Sequence, residues 1–555
     1  MTKDGAAFYN NRQKTQKGIH RYRVVRKAMS EAQEKEKQKS MDARKKLQGA
    51  AVEIGNSILT AYFLVMMLVY PFYLKNGYQE IGDVKYFFFR NISLVTVFVM
   101  LCVTAGILFL QGKNLSITAF YKRLSITDWF VYGYLVLVLL SYVCTPFKKE
   151  AFLGAEGWYM GLVSQLLFCS IYFLFSRYFR WNEIKLYAML TGSGLVFWLG
   201  ILNRYSVYPI GMSGQMTIFI STLGNINWFC GYWAVFCAVG AAFYWTSRSG
   251  WQRVAAGVYL ITAFWTGIVQ GSSSAYLALT GIFLFLFCLS FQENRAMYRF
   301  LETGILFMLS CQAARALRYV PGLEINYESA PGLLLTNTNL TLYLGITLSI
   351  FYLLFYYLTK QKNIEIACYK KLRGAVLLLL LAAAAGFVIL LILNTLLPEG
   401  IFGFEEVPFL VFDDSWANYR GATWTDGVLA YRSMTPLQKL IGVGPDCFAG
   451  YIYTVPELTE RVYAQFGSSR LTNAHNEWLT TLVNQGVFGL ICYIGIFASA
   501  FIGFIKKAHI QPVLYLCAAA VLAYTVHNMV SFQQVLNAPF VFIVLGVGEG
   551  IRRNS

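Results

Sequence analysis

Apolar runs of about twenty residues, the length a helix needs to cross a bilayer, recur in this chain from residue 51 to its C-terminus. With 57% hydrophobic and 13% charged residues, the 555-residue chain holds more apolar side chains than one soluble core can bury and too few charges to cover a surface. Lipid must therefore be the solvent for most of it. The expected fold is all-α, a polytopic transmembrane helical bundle. Spans are expected near 51–72, 91–111, 127–144, 157–176, 185–203, 227–245, 254–270, 273–290, 299–317, 337–358, 374–396, 476–504, 511–530 and 537–551, about fourteen in all. No stretch is left for a soluble enzyme domain.

The formal charge of +18 is unevenly spread. Residues 1–48 alone carry 14 Lys/Arg against 5 Asp/Glu. Each cation near an anionic leaflet gains roughly 1 kcal/mol, so this tail reads as a cytoplasmic arm on the membrane surface, not a nucleic-acid binder. It is too long and too charged for the start of a cleaved signal peptide, so Ala51–Tyr70 is expected to stay as an anchor. The eleven cysteines are scattered singly with no CxxC, which encodes neither a disulfide framework nor a zinc site.

The Lys/Arg bias of short loops sets the orientation. With the basic tail inside, Lys113, Lys122 and Arg123, then Arg177 and Arg180, Arg248 and Arg253, Arg295 and Arg299, Lys360 to Arg373, Lys506 and Lys507, and Arg552 and Arg553 all fall on one side. Both termini are then cytoplasmic. The chain divides into a basic tail (1–48), eleven helices (49–396), a large extracytoplasmic loop (397–474), and three more helices with a short tail (475–555). The long loop shows no clear helix or strand pattern, and its richness in Trp, Tyr, Phe, Gly and Pro makes it the expected working part.

Of four histidines, His20 and His509 fall inside, leaving His475 and His527 near the outer face. His475 is expected to open a helix with Gly486 and Gly489 on the same face, where small residues let a neighbour approach closely. Upstream, Gly442, Gly444 and Pro445 read as a tight turn, since a phosphate cradle would need more glycines and a helix N-terminus.

His475-Asn476, nine residues, Gly486, two residues, then Gly489 resembles the signature of the O-antigen ligase and polymerase superfamily. Other segments agree in order: Ile441 to Phe448 resembles the family's Gly-x-Gly turn, Arg420 to Trp424 its Arg-x-x-x-Trp stretch, and Leu223 to Trp228 its Gly-Asn-x-Asn entry to a middle span. The likeness covers residues 200–550. One departure stands out: many relatives carry Ser-Arg where this chain reads Gly271-Ser-Ser-Ser, so Arg204, Arg315 or Arg318 would have to supply the second cation.

The resemblance implies a membrane glycosyltransferase in the bacterial cytoplasmic membrane, its site facing outside. It would take a glycan from a polyprenyl-diphosphate carrier and pass it to a hydroxyl of a glycan or lipid acceptor. A ligase and a polymerase remain equal alternatives, and a lipid-linked glycan transporter is the rival from another class. Such a donor already has a good leaving group, so the reaction is expected to need positioning, charge stabilisation and a base or orienting group, with inversion and with neither metal nor cofactor. Arg420 suits the diphosphate, unless it pairs with Asp413, Asp414 or Asp426. Arg432 is a second candidate. His475, with an ordinary pKa of about 6.5, suits a base or an orienting group. Asn476, Glu477, Trp424, Asn225, Asn227 and Arg204 are expected around the substrate, with Trp416, Tyr451 and Tyr453 as further stacking surfaces.

Overall fold

The structure, a computed structural model, describes residues 3–111, 124–397 and 407–555. Lys113, Lys122 and Arg123, and residues 398–406 of the long loop, lie outside the described residues. The chain forms two compact units, residues 1–58 with 98–122, and residues 59–97 with 123–555; everything below concerns the second unless stated.

Apart from a two-residue hairpin (β1 Phe219–Ile220, β2 Gly224–Asn225), the regular structure is helical. The first thirteen helices are α1 Lys3–Leu68, α2 Ile81–Gln111, α3 Ile126–Cys144, α4 Lys148–Leu153, α5 Leu162–Tyr178, α6 Glu183–Arg204, α7 Ile226–Thr246, α8 Gly250–Val269, α9 Ser274–Ser290, α10 Asn294–Leu317, α11 Ala330–Asn337, α12 Leu340–Gln361 and α13 Lys370–Leu396. Seven follow: α14 Trp416–Ser433, α15 Pro436–Ile441, α16 Phe448–Ile452, α17 Pro456–Phe466, α18 Glu477–Lys507, α19 Val513–His527 and α20 Ala538–Asn554.

A helix stands at each of the expected spans. Among the described residues nine are long and apolar enough to cross a membrane: α2, α3, α6, α7, α10, α12, α18, and the apolar stretches that include the C-terminal part of α1 and all of α13. Crossings by α5, α8, α9, α19 and α20 are proposals, since these are shorter or less apolar. Helices suit this solvent because each satisfies its own backbone groups. Polar caps mark where several begin: Ser125 and Asp128 form a reciprocal capping box at α3, and Asn182 and Ser249 cap α6 and α8.

α7 is almost wholly buried, packed by α8, α9 and α19, while α3 packs on α18 and α5 on α20. The terminal basic residues are fixed by carboxylates: Glu549 accepts from Arg552 at 2.7 Å and Arg553 at 2.9 Å, and buried Asp128 accepts from Arg177 at 3.1 Å and also from Arg553. Sequence separation of more than 400 residues is thereby closed by charge.

The described part of the long loop is largely helical, contrary to the expectation of a patternless segment. α14 to α17 enclose Ala430, Met434, Val443, Phe448, Ile452, Leu458 and Val462, and this core continues into Ala151 of α4 and Val483 of α18. α17 shows the physical basis: Pro456 starts it, and Leu458 and Val462, four residues apart, bury one face. Such short helices bury so few residues each that their period is hard to see in sequence.

Candidate functional site

The two glycine motifs lock onto each other. α18 is broken at Gly486 (φ 70°, ψ −175°), which frees the carbonyls of Val483 and Asn484 from their helical partners. The N–H of Val443 donates to Val483 and that of Gly444 to Asn484, each at 3.1 Å, and the Ser141 hydroxyl donates to Asn484 at 2.9 Å. Approach this close needs glycine on both sides. A Cβ on Gly442 would stand 2.1 Å from the Asn484 oxygen, and one on Gly486 2.4 Å from the Leu440 carbonyl. Pro445 leads the turn into buried Asp446, whose Oδ2 accepts from the N–H groups of Ala155 at 2.8 Å and Met160 at 2.9 Å. Burial raises this carboxyl to about 7 against those two hydrogen bonds.

This geometry corrects the expected single helix face. His475 precedes α18 with φ 47°, and the break at Gly486 changes the register again, so His475, Gly486 and Gly489 do not share a helical stripe. Gly486 meets the C-terminal end of α15 at Leu440 and Ile441, and the nearest neighbour of Gly489 is Gln485 of its own helix. Asn476 is the N-cap of α18, its side-chain oxygen accepting from the Leu479 N–H at 3.1 Å, a structural use of a residue expected at the substrate.

His475 is held from three directions. Its N–H donates to Asn473 Oδ1 at 2.9 Å, which supports the left-handed backbone; the preceding Ala474 carbonyl accepts from Thr423 Oγ1 of α14 at 3.0 Å. Phe532 meets the imidazole edge-on with ring centres 5.0 Å apart. Burial, and then the positive charge of Arg420, lower the imidazole from 6.5 to about 4, so it rests neutral.

Arg420 enters α14 through three successive left-handed residues, Ala417, Asn418 and Tyr419 (φ 49°, 62° and 64°). Gly421 follows because a Cβ there would lie 1.8 Å from the Asp413 carbonyl oxygen. The guanidinium donates to the Ala417 carbonyl at 2.8 Å and the Val530 carbonyl at 2.9 Å. No carboxylate among the described residues pairs with it. Asp426 and Asp414 are both taken by Arg461, the first at 2.7 Å, and Asp413 accepts from Ser415. Arg420 therefore faces its surroundings as an uncompensated cation, and burial lowers its pKa from the usual value.

Residues 329–494 match the family model described as O-antigen ligase. The chain carries an O-antigen ligase domain. That match runs from the start of α11 into α18 and contains Arg420, the glycine lock and His475. No curated protein matches the chain. With its apolar helices, the O-antigen ligase domain fits a multi-pass membrane protein of the ligase and polymerase superfamily.

The site is completed from outside the O-antigen ligase domain. The segment between α19 and α20 supplies the Val530 carbonyl to Arg420 and Phe532 to His475. Glu477, buried at the start of α18, fixes that segment: its carboxylate accepts from the Gln533 N–H at 2.5 Å, and its own N–H donates to the Asn528 carbonyl at 2.9 Å. Glu477 thus acts on the segment that carries Val530 and Phe532. Arg420 is within electrostatic range of the Cys230 thiol of α7. Around Cys230, Ser274 reaches His527 Nε2 at 3.3 Å, Ser272 contacts Ser274 at 2.7 Å, and Ser272 donates to Asn227 Oδ1 at 2.7 Å. His527 and the segment after it are the parts sequence reasoning missed. The only sequence signal was a second outer histidine.

Other expected site residues lie elsewhere or are engaged. Arg432 is exposed at the far end of α14, twelve residues and about 18 Å from Arg420 by helical rise. Arg204 is buried and donates to the carbonyls of Gln270 at 3.1 Å and Thr217 at 2.6 Å and to Asn326 at 3.2 Å, so it ties loops together. Arg318 pairs with Glu328, and Arg315 donates to the Thr338 carbonyl at 3.1 Å. Asn225 caps α7 by accepting from the Asn227 N–H at 2.8 Å. Trp424 packs on Trp416 with ring centres 5.6 Å apart, and its buried indole N–H has no partner among the described residues.

Proposed function

We propose that this protein transfers a glycan from a polyprenyl diphosphate to an acceptor hydroxyl at the outer face of a bacterial cytoplasmic membrane. The observation that carries the reading is an uncompensated Arg420 whose charge acts on a neutral, half-buried His475. Arg420 receives the diphosphate, where its paired donors meet phosphate oxygens. The acceptor oxygen attacks the anomeric carbon, the bond to the diphosphate oxygen breaks with its electron pair leaving on the carrier, and His475 takes the hydroxyl proton. Attack opposite the leaving group inverts the anomeric centre.

The two residues are linked by charge. The positive field that keeps His475 neutral is offset when an anionic diphosphate settles on Arg420, so donor binding raises the basicity of the imidazole just where a proton must be accepted. Trp424 offers an unpaired indole N–H for a sugar oxygen, and Asn227 its amide. Glu477 positions through the segment carrying Phe532, and Arg432 takes no part. No step in this scheme calls on a metal or a cofactor. A polymerase of the same superfamily would use the same groups and differ only in its acceptor.

The test is transfer by purified full-length protein from a polyprenyl-diphosphate glycan, without metal or nucleotide. His475→Gln and Arg420→Gln should abolish product while leaving membrane insertion intact. Unchanged product from either variant refutes the assignment.

A further inference from the structure

α7 runs from Ile226, next to Asn227 of the serine and Cys230 cluster, to Thr246, and its 21 residues span about 30 Å, one hydrocarbon thickness. At that far end the chain builds a second polar site with no part in the scheme above. Five cations, Arg248, Arg253, Arg295, Arg299 and Lys360, line a cavity of about 440 Å³ with one carboxylate, Glu302. Glu302 is already saturated: it accepts from Arg253 at 2.5 Å, Arg299 at 3.0 Å, Tyr244 at 2.9 Å and Tyr352 at 3.3 Å. The Ser247 carbonyl that ends α7 holds Arg295 at 2.7 Å. Three of the arginines are thus pre-positioned by protein partners. Arg248 and Lys360 have no partner among the described residues and close the cavity with free charge.

A scatter of loop cations would satisfy orientation in a membrane, but here they converge on one concave surface around a single shared anchor. The excess of positive charge calls for an anion with several acceptor oxygens, which is phosphate chemistry. One wall of the cavity is α12, whose apolar side chains Phe351, Leu353 and Leu354 face outward at 55%, 65% and 48% exposure, so the cavity lies at the lipid-facing surface. Tyr356 of the lining and Trp251 of α8, at 52% and 63% exposure, are exposed aromatic side chains of the kind enriched where a membrane protein meets headgroups.

We infer that this cavity binds the phosphate headgroup of an anionic membrane lipid at the face opposite the candidate active site. Its acyl chains lie along α12, and the headgroup phosphate bridges Arg248 and Lys360 across the Glu302 anchor.

The experiment uses full-length protein in phosphatidylcholine nanodiscs with phosphatidylglycerol titrated in, read by native mass spectrometry and by thermal unfolding. Phosphatidylglycerol should bind and raise the unfolding temperature. The double variant Arg248→Gln with Lys360→Gln, which breaks no protein contact, should weaken binding roughly thirty-fold, on the usual contribution of a cation near an anionic surface. Lys506→Gln with Lys507→Gln removes the same charge outside the cavity and should leave affinity unchanged. Equal losses from both double variants would overturn the site, as would equal binding of phosphatidylcholine. Stabilisation by inorganic phosphate with no added effect of lipid charge would overturn the lipid as occupant.

Discussion

Replacing Gly486 with Ala tests whether the interlock between the loop and the broken helix places His475. Alanine at φ 70° and ψ −175° sits in backbone space that L-residues avoid, at about 1–3 kcal/mol. Its methyl would also lie 2.4 Å from the Leu440 carbonyl, so the Gly442 turn must move away. That breaks the hydrogen bonds from Val443 to Val483 and from Gly444 to Asn484, each worth about 1 kcal/mol net. The sum is about 3–5 kcal/mol. Alanine also favours helical φ, which would straighten α18 and turn its first residues, including Glu477, away from the Gln533 segment. Thermal unfolding in detergent should show a drop of several degrees, and glycan transfer per inserted molecule should fall at least ten-fold. Gly374→Ala on α13, where nothing lies within 4 Å of an added Cβ, is the control and should be neutral. Wild-type stability and transfer in G486A would refute the interlock.

Four further outcomes follow. In kcat/KM against pH, the acid limb should lie near pH 4 instead of 6.5, because His475 stays neutral until then; in Arg420→Gln, which makes no product, the His475 imidazole followed by NMR should titrate higher, yet below 6.5 because burial remains. Asp446 is held at about 7, above its unfolded value, so its contribution to stability is present at low pH and lost as pH rises through 7. Asp446→Asn keeps one oxygen for both N–H donors and should therefore unfold at a higher temperature than wild type above pH 7, measured by a pH series of melts. Arg461→Gln should cost about 2 kcal/mol, discounted for its partial exposure, because it leaves buried Asp426 without a counter-charge; a melt of the variant checks it. Arg432→Gln should leave transfer within about two-fold of wild type, since this exposed side chain lies about 18 Å along α14 from Arg420.

The sequence by itself determined where the long apolar helices form, though not the short helices of the loop between α13 and α18. Lipid leaves no other partner for the backbone, so each long apolar run had to become a helix, and polar caps such as Ser125 with Asp128 marked a start locally. It also brought His475, Arg420 and the glycines into view, through residue type and spacing along the chain. Tertiary structure decided what those residues do. Asn476 became a cap, and Gly486 became a break whose freed carbonyls are taken by residues forty positions upstream. Arg420 stayed free because Arg461 claimed both Asp414 and Asp426. The wall that meets His475 comes from Phe532, after α19. A helix is written in near neighbours, whereas the capture of a carbonyl or the allocation of a counter-charge depends on which distant group arrives first in space, and spacing along the chain carries no record of that.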